Sequence, residues 1–129
     1  KYKGVVSNEE IIKAEQQATL LVNPRLSNQE LVKYSFPSKT TEYMLSGTPV
    51  LTTKLCGIPE EYYSHLFTFE EESEQGFRDK LLETLSLPSD ELQLKGMTAQ
   101  KFVLENKSNI KQAQHIQQFF EEIITNNRK

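Results

Sequence analysis

The 129-residue chain is poor in the residues that build covalent or metal staples. Its single cysteine, Cys56, excludes an internal disulfide and any multi-cysteine metal site. Its two histidines, His65 and His115, stand too far apart for metal-ligand spacing. Long hydrophobic runs are absent as well. The longest, around residues 18–22, is far short of the ~20 apolar residues that a membrane-crossing helix needs. No basic stretch followed by an apolar core opens the chain, so no signal peptide is expected. Positive charge is not in excess: 15 Lys and Arg face 18 Asp and Glu, for a net charge of -3. Non-specific nucleic-acid binding needs clustered cations to displace counterions, so nucleic acid is not an expected partner. A reducing cytoplasm fits the lone cysteine. The chain opens on Lys1 without a methionine, and we expect a piece of a larger protein.

With 36% hydrophobic and 26% charged residues, the composition is that of one soluble domain. Tyr2-Lys3-Gly4-Val5-Val6 reads as a short strand. Ser7-Asn8-Glu9-Glu10 has the form of a capping box, in which a hydroxyl and a carboxylate satisfy each other's free amides, and a helix to about Gln17 follows. Thr19-Leu20-Leu21-Val22 is a continuous apolar run of strand length, as in a parallel strand covered on both faces. Asn23-Pro24-Arg25 ends it. Ser27-Asn28-Gln29-Glu30 repeats the capping pattern and predicts one or two helical turns. A longer helix is expected from Pro37 through Leu45, stopped by Gly47, with Pro49 and the strand Val50-Leu51-Thr52-Thr53 behind it. Strand, loop, helix, glycine and strand in that order predict a right-handed crossover and a parallel sheet.

After a turn at Gly57-Ile58-Pro59-Glu60 and a short helix, His65-Leu66-Phe67-Thr68 is expected as a last strand. The remainder reads as helical in three apolar stripes. The first is Phe77, Leu81, Leu82 and Leu85. The second is Leu94, Met97, Phe102 and Val103. The third is Ile110, Ala113, Ile116, Phe120 and Ile123. Pro88 and residues 106–108 separate them, and the last few residues are expected to fray. The fold class is therefore α/β: a partial Rossmann-like parallel sheet flanked by helices, with a helical C-terminal tail. It forms a single, incomplete domain over 1–129, with sheet in about 1–68 and helices in about 73–126.

The segment able to carry chemistry is 24–53. The first amides of a helix lack intrahelical partners and carry partial positive charge, so a strand that feeds a helix through a loop makes an anion site. Pro37, Ser38, Lys39 and Thr40 occupy such a start. The two hydroxyls and the ammonium suit a phosphate or diphosphate. Glu42 lies four residues after Ser38 on the same face, where a carboxylate can accept from both hydroxyls of a ribose. On spacing alone the plainer reading is favoured, because caps outnumber phosphate sites at helix starts: Ser38 as a cap, Pro37 as a helix starter, Glu42 as a favourable charge, Lys39 as a solvated one. No glycine-rich cradle decides between them. Arg25, Tyr34, Phe36, Cys56 and the histidines are expected to be loop, packing or surface residues. The Phe119-Phe120 pair is expected in the core, or on a face that docks on another domain.

The stretch Phe36-Pro37-Ser38-Lys39-Thr40-Thr41-Glu42-Tyr43-Met44-Leu45-Ser46-Gly47-Thr48-Pro49-Val50-Leu51 resembles a motif of family-four retaining glycosyltransferases of GT-B fold, in their capsule and exopolysaccharide branch. Residues 2–6 are similar to that family's strand ending in Gly, 18–24 to its A-D-L-L-V-N-P strand, and 57–60 to the loop beyond. The resemblance spans about residues 2–68. It implies the donor-binding half of an enzyme, hexosyltransferase in type, that moves sugar from a nucleoside diphosphate sugar to a glycan or lipid-linked acceptor. It implies no metal and no cofactor. Glu42 matches the second glutamate of the family's E-x7-E motif, which holds the donor ribose. Pro37, Ser38, Lys39 and Thr40 match the turn that meets the diphosphate. Val6 and Ser7 match the stretch near the base. No catalytic residue is assigned.

Two departures stand out. Tyr34 occupies the place of the first E-x7-E glutamate, as branches with the F-P-S-K form often show. The family's Gly-rich turn, its Arg/Lys pair and its acceptor-binding half have no counterpart in this sequence. The resemblance thus implies a part inactive by itself, whose partners are the nucleotide-sugar donor and the acceptor domain. It also implies a gap of two strands between the residue 2–6 strand and the next, with strand-edge self-association as one way to fill it. The implied location is cytoplasmic, or peripheral at the inner face of the membrane. A nucleotide-sugar epimerase of the same fold and a non-catalytic interaction domain are the other readings.

Overall fold

A computed structural model describes residues 2–34 and 36–126. Three parallel strands form its sheet: β1 (Leu21–Asn23), β2 (Val50–Thr53) and β3 (Phe67–Phe69), in the order β1-β2-β3. Leu21 lies beside Val50, and Leu51 beside Phe67. Helix α1 (Asn8–Gln17) precedes β1; α2 (Glu30–Lys33) and α3 (Ser38–Leu45) form the crossover to β2; a 3-10 turn (Glu60–His65) leads to β3. Helices α4 (Glu74–Leu85), α5 (Ser89–Asn106) and α6 (Asn109–Asn126) complete the chain. The α/β class with a partial Rossmann-like sheet and a helical C-terminal part is as expected.

Local chemistry accounts for most boundaries. The capping box forms: Glu10 N–H donates to Ser7 Oγ at 3.3 Å, and Ser7 N–H donates to the Glu10 carboxylate at 3.0 Å. Ser7→Ala is expected to cost about 1 kcal/mol, read as a lowered thermal midpoint and faster amide exchange in the first turn of α1. Gly47 ends α3 with φ +79°, a conformation that favours glycine. The next turn is fastened by Thr48, whose hydroxyl donates to the Glu15 carbonyl at 2.6 Å.

All four residues of β2 are buried, as in a central parallel strand. Above it lie Met44 of α3 and Ala99 and Val103 of α5, joined by Leu55, Ile58, Tyr62 and Leu66. The polar members of β2 are paired at its carboxyl end. Thr52 Oγ1 donates to the Asn23 carbonyl at 3.1 Å, and Thr53 Oγ1 accepts from the Arg25 amide at 3.0 Å.

The structure differs from expectation at four places. Residues 2–6 form no strand, because a strand exists only against a neighbour and none lies beside them among the described residues. Ser27 caps nothing: its amide donates to Glu72 at 2.7 Å, and α2 opens from Gln29 without a side-chain cap. The buried face of α5 is Leu92, Gly96, Ala99 and Val103, while Leu94 and Met97 are exposed. The helix is turned so that Gly96, its residue without a side chain, meets the Gly47–Pro49 turn. The third stripe has the right period but no element opposite it among the described residues. Ile110, Ile116, Phe119, Phe120 and Ile123 of α6 are all exposed, so Phe119 and Phe120 are not core. No helix among the described residues is long and apolar enough to cross a membrane. Lys1, Ser35 and residues 127–129, the last of which were expected to fray, lie outside the described residues.

Candidate functional site

The crossover fixes where α3 begins. Since β1 and β2 run parallel, the chain leaves the carboxyl end of β1 and must return along α3, so the amino end of α3 lies at the sheet's carboxyl edge. Pro37 occupies the cap position, and no side chain among the described residues caps the helix. The Thr40 amide donates to the Pro37 carbonyl at 2.9 Å, which leaves Ser38 and Lys39 as the outward part of the turn. Pro37 and Thr40 themselves are buried.

Lys39 Nζ lies 2.6 Å from Glu42 Oε1 and 5.9 Å from the centre of the Tyr43 ring. The hydrogen bond to Glu42 holds the Lys39 ammonium above its ordinary pKa, so it stays charged. Side chains in this pair are 45% and 40% exposed, so the contact itself contributes little to stability.

Two buried polar atoms near this turn have no hydrogen-bond partner: Thr40 Oγ1, in the first turn of α3, and Asn23 Nδ2, in the last residue of β1. Buried polar groups are nearly always paired, and departures mark places where something else is bound or strain is held. Here both fall on the elements that meet at the carboxyl edge, where open α/β sheets take their ligands.

A residue of α1 completes the cluster. Glu15 is buried, with 7% exposure. Burial first, then the Glu42 charge, raises its pKa above the ordinary glutamate value; Lys39 opposes that shift. Sequence reasoning passed over Glu15, although the signal is there: it lies four residues after Ile11, on the face that α1 turns inward. Asn23 was read only as a strand terminator.

Beside the cluster runs a cleft of about 300 Å³ between α1, α3 and the free edge of β1, lined among others by Lys3, Val6, Glu10, Glu15, Leu21 and Tyr43. Val6 therefore comes to the same region as Glu15. Ser7 does not line it, and its hydroxyl is held in the capping box.

The remaining residues sit apart. Tyr34 is exposed at the end of α2. Phe36 packs edge-on against Tyr62 at 5.3 Å. His65 stacks on Phe102 at 4.4 Å, and burial lowers its pKa. Cys56 is free and exposed, and His115 lies on exposed α6. Among the described residues no three His, Cys, Asp or Glu side chains converge as metal ligands do.

A helix start with outward Ser38 and Lys39, orphaned donors beneath it and a carboxylate one turn on can hold an anionic group joined to a diol. No curated protein and no solved structure is significantly similar to the chain. The family described as Glycosyl transferases group 1 matches residues 1–86 of the 129, which include all three strands, the crossover and the whole cluster around α3. The chain belongs to the group 1 glycosyl transferases.

Proposed function

We propose that the chain is the donor-binding part of a glycosyltransferase that moves a sugar from a nucleoside diphosphate sugar to a glycan or lipid-linked acceptor. In this reading the start of α3 receives the diphosphate. The amides of Ser38 and Lys39 stand ahead of the helix's own hydrogen-bond ladder, and Lys39 adds a full positive charge. As the sugar–phosphate bond breaks, negative charge grows on the leaving diphosphate, and fixed donors stabilise it without reorganising. Glu42 grips the ribose diol, and the cleft by Val6 takes the base. The acceptor comes from a domain these residues do not form, so this chain alone transfers no sugar. No metal enters the scheme. The capsule and exopolysaccharide branch, a hexosyl donor, retention of configuration and a cytoplasmic or membrane-peripheral location belong to the same proposal.

The observation that carries it is the coincidence, in a chain of this family, of an uncapped helix start with the Lys39–Glu42 pair and two orphaned polar atoms at the sheet's carboxyl edge. Calorimetric titration with UDP and GDP tests it. One of them is expected to bind to the chain, and to do so more tightly than its nucleoside, because the diphosphate supplies the anion. Equal affinity for nucleotide and nucleoside would contradict the reading.

A further inference from the structure

The two ends of α3 are held differently. At its carboxyl end Gln100 Nε2 donates to the Leu45 carbonyl at 2.7 Å, and the turn beyond is fastened by the Thr48 hydroxyl to the Glu15 carbonyl at 2.6 Å. At its amino end no side chain among the described residues accepts from the free amides. A helix of eight residues is too short to hold its first turn by its own hydrogen bonds. Left to itself that turn frays, and the amides of Ser38 and Lys39 move with it.

Phe36 supplies what a cap does not. It stands just before Pro37, the place from which a hydrophobic staple reaches the fourth residue of a helix. Here that fourth residue is Thr41, so the apolar partner of a staple is missing. The Phe36 ring meets Tyr62 instead, edge-on, with ring centres 5.3 Å apart and planes at 63°. This is one of the favoured aromatic pairings.

Tyr62 is a firm base for that contact. It lies in the 3-10 turn before β3 and is only 6% exposed. Its ring meets Phe102 of α5 at 5.2 Å and 82°, and Phe102 in turn stacks on His65. Lys107, at the carboxyl end of α5, sets its ammonium 5.2 Å from the Tyr62 ring and 5.6 Å from the Phe102 ring, and pairs with the Glu61 carboxylate. Tyr62 is thus gripped by a ring and a cation, and cannot follow Phe36 if the start of α3 moves away.

We propose that Phe36 is a positioning residue of the donor site: its contact with Tyr62 pins the first turn of α3 where Ser38 and Lys39 meet a diphosphate. The proposal rests on the donor-site reading and adds the part that keeps the anion site in shape. Amides already fixed need no ordering when the anion arrives. Amides on a frayed turn must be ordered first, and apparent affinity falls with the fraction of chains in which the turn is formed. The diphosphate depends on this turn. The base beside Val6 and the diol on Glu42, one turn further on, do not.

Calorimetry on the whole chain with UDP, GDP, uridine and guanosine tests this. An aromatic edge contact is worth about two- to tenfold in an equilibrium, beyond the area it buries. Phe36→Ala is therefore expected to bind the favoured nucleotide about tenfold more weakly, and its nucleoside as the wild type does. Phe36→Leu keeps apolar bulk but no ring edge, and is expected to lose about threefold for the nucleotide alone. Phe36→Tyr keeps the ring, and at a position 38% exposed its hydroxyl can reach water, so both ligands are expected to bind as in the wild type. The Thr40 amide, which donates to the Pro37 carbonyl at 2.9 Å, is expected to exchange faster in Phe36→Ala than in Phe36→Tyr. Wild-type nucleotide affinity in both Phe36→Ala and Phe36→Leu overturns the proposal while leaving the donor site standing. An equal loss for nucleotide and nucleoside overturns it too, because the ring would then be touching base or sugar. A wild type that binds neither nucleotide more tightly than its nucleoside removes the donor site, and the positioning role with it.

Discussion

Gly96→Ala is expected to destabilise the chain by at least ~3 kcal/mol, the upper range for forcing extra atoms into a packed interior. A methyl at this position would lie 2.1 Å from the Gly47 carbonyl oxygen and 2.8 Å from the Pro49 nitrogen. Both are backbone atoms of the turn that ends α3 and starts β2. Neither can swing aside as a side-chain tip would. Relief therefore means lifting α5 from α3, which would open the layer formed by Met44, Val50, Ala99 and Val103. It would also break the bond in which Gln100 Nε2 donates to the Leu45 carbonyl at 2.7 Å, at the carboxyl end of α3. Since small domains are stable by only ~5–15 kcal/mol, the loss is a large share of the total. Urea unfolding checks it: a midpoint close to that of the wild type would show that α5 does not sit where described.

That contact also marks a limit of reading the sequence. The crossover from β1 to β2 was legible, because each residue type has a local reason: an apolar run, a proline at a helix start, Gly47 at a positive φ, then Pro49 and an apolar strand. The face of α5 was not. Leu94 and Met97 are larger and more apolar than Gly96 and Ala99, so hydrophobicity alone chooses the wrong side. Close approach of backbones, rather than transfer of apolar area, decides the packing there. The same limit applies to residues 2–6 and to α6. Their patterns state what each would do against a partner, and a pattern cannot supply the partner.

The second large effect concerns Glu42. Glu42→Ala is expected to weaken binding of the favoured nucleotide by at least about 100-fold, the loss of two hydrogen bonds from sugar hydroxyls to a carboxylate. It is expected to cost under ~1 kcal/mol of stability, because the Lys39–Glu42 pair is close to half exposed on each side. The contrast between the two effects is what matters. A glutamate that merely favours the helix start would give a small stability loss and no change in affinity, which is the outcome a non-catalytic interaction domain demands. Calorimetry with nucleotide and thermal unfolding of the same variant separate the two.

At the site, the sequence made the α3 turn and its carboxylate visible, because helix-start chemistry is local. It hid Glu15 and Asn23. Their significance lies in burial: Glu15 is shut from solvent, and the Asn23 amide nitrogen is buried without a partner. A lone glutamate on an inward helix face and an asparagine at a strand end are unremarkable until the fold brings them beside α3. The division of roles in the turn was also hidden: Thr40, expected to offer a hydroxyl outward with Ser38, lies wholly inside.

The central claim is that the amino end of α3 meets a diphosphate. Its most direct measurement is an amide NMR titration of the chain with UDP and GDP, with uridine and guanosine alongside. The account predicts that the nucleotide which binds shifts the amides of Ser38, Lys39 and Glu42, and that its nucleoside leaves Ser38 and Lys39 still. Nucleotide shifts gathered elsewhere on the chain, with those amides unmoved, would contradict it.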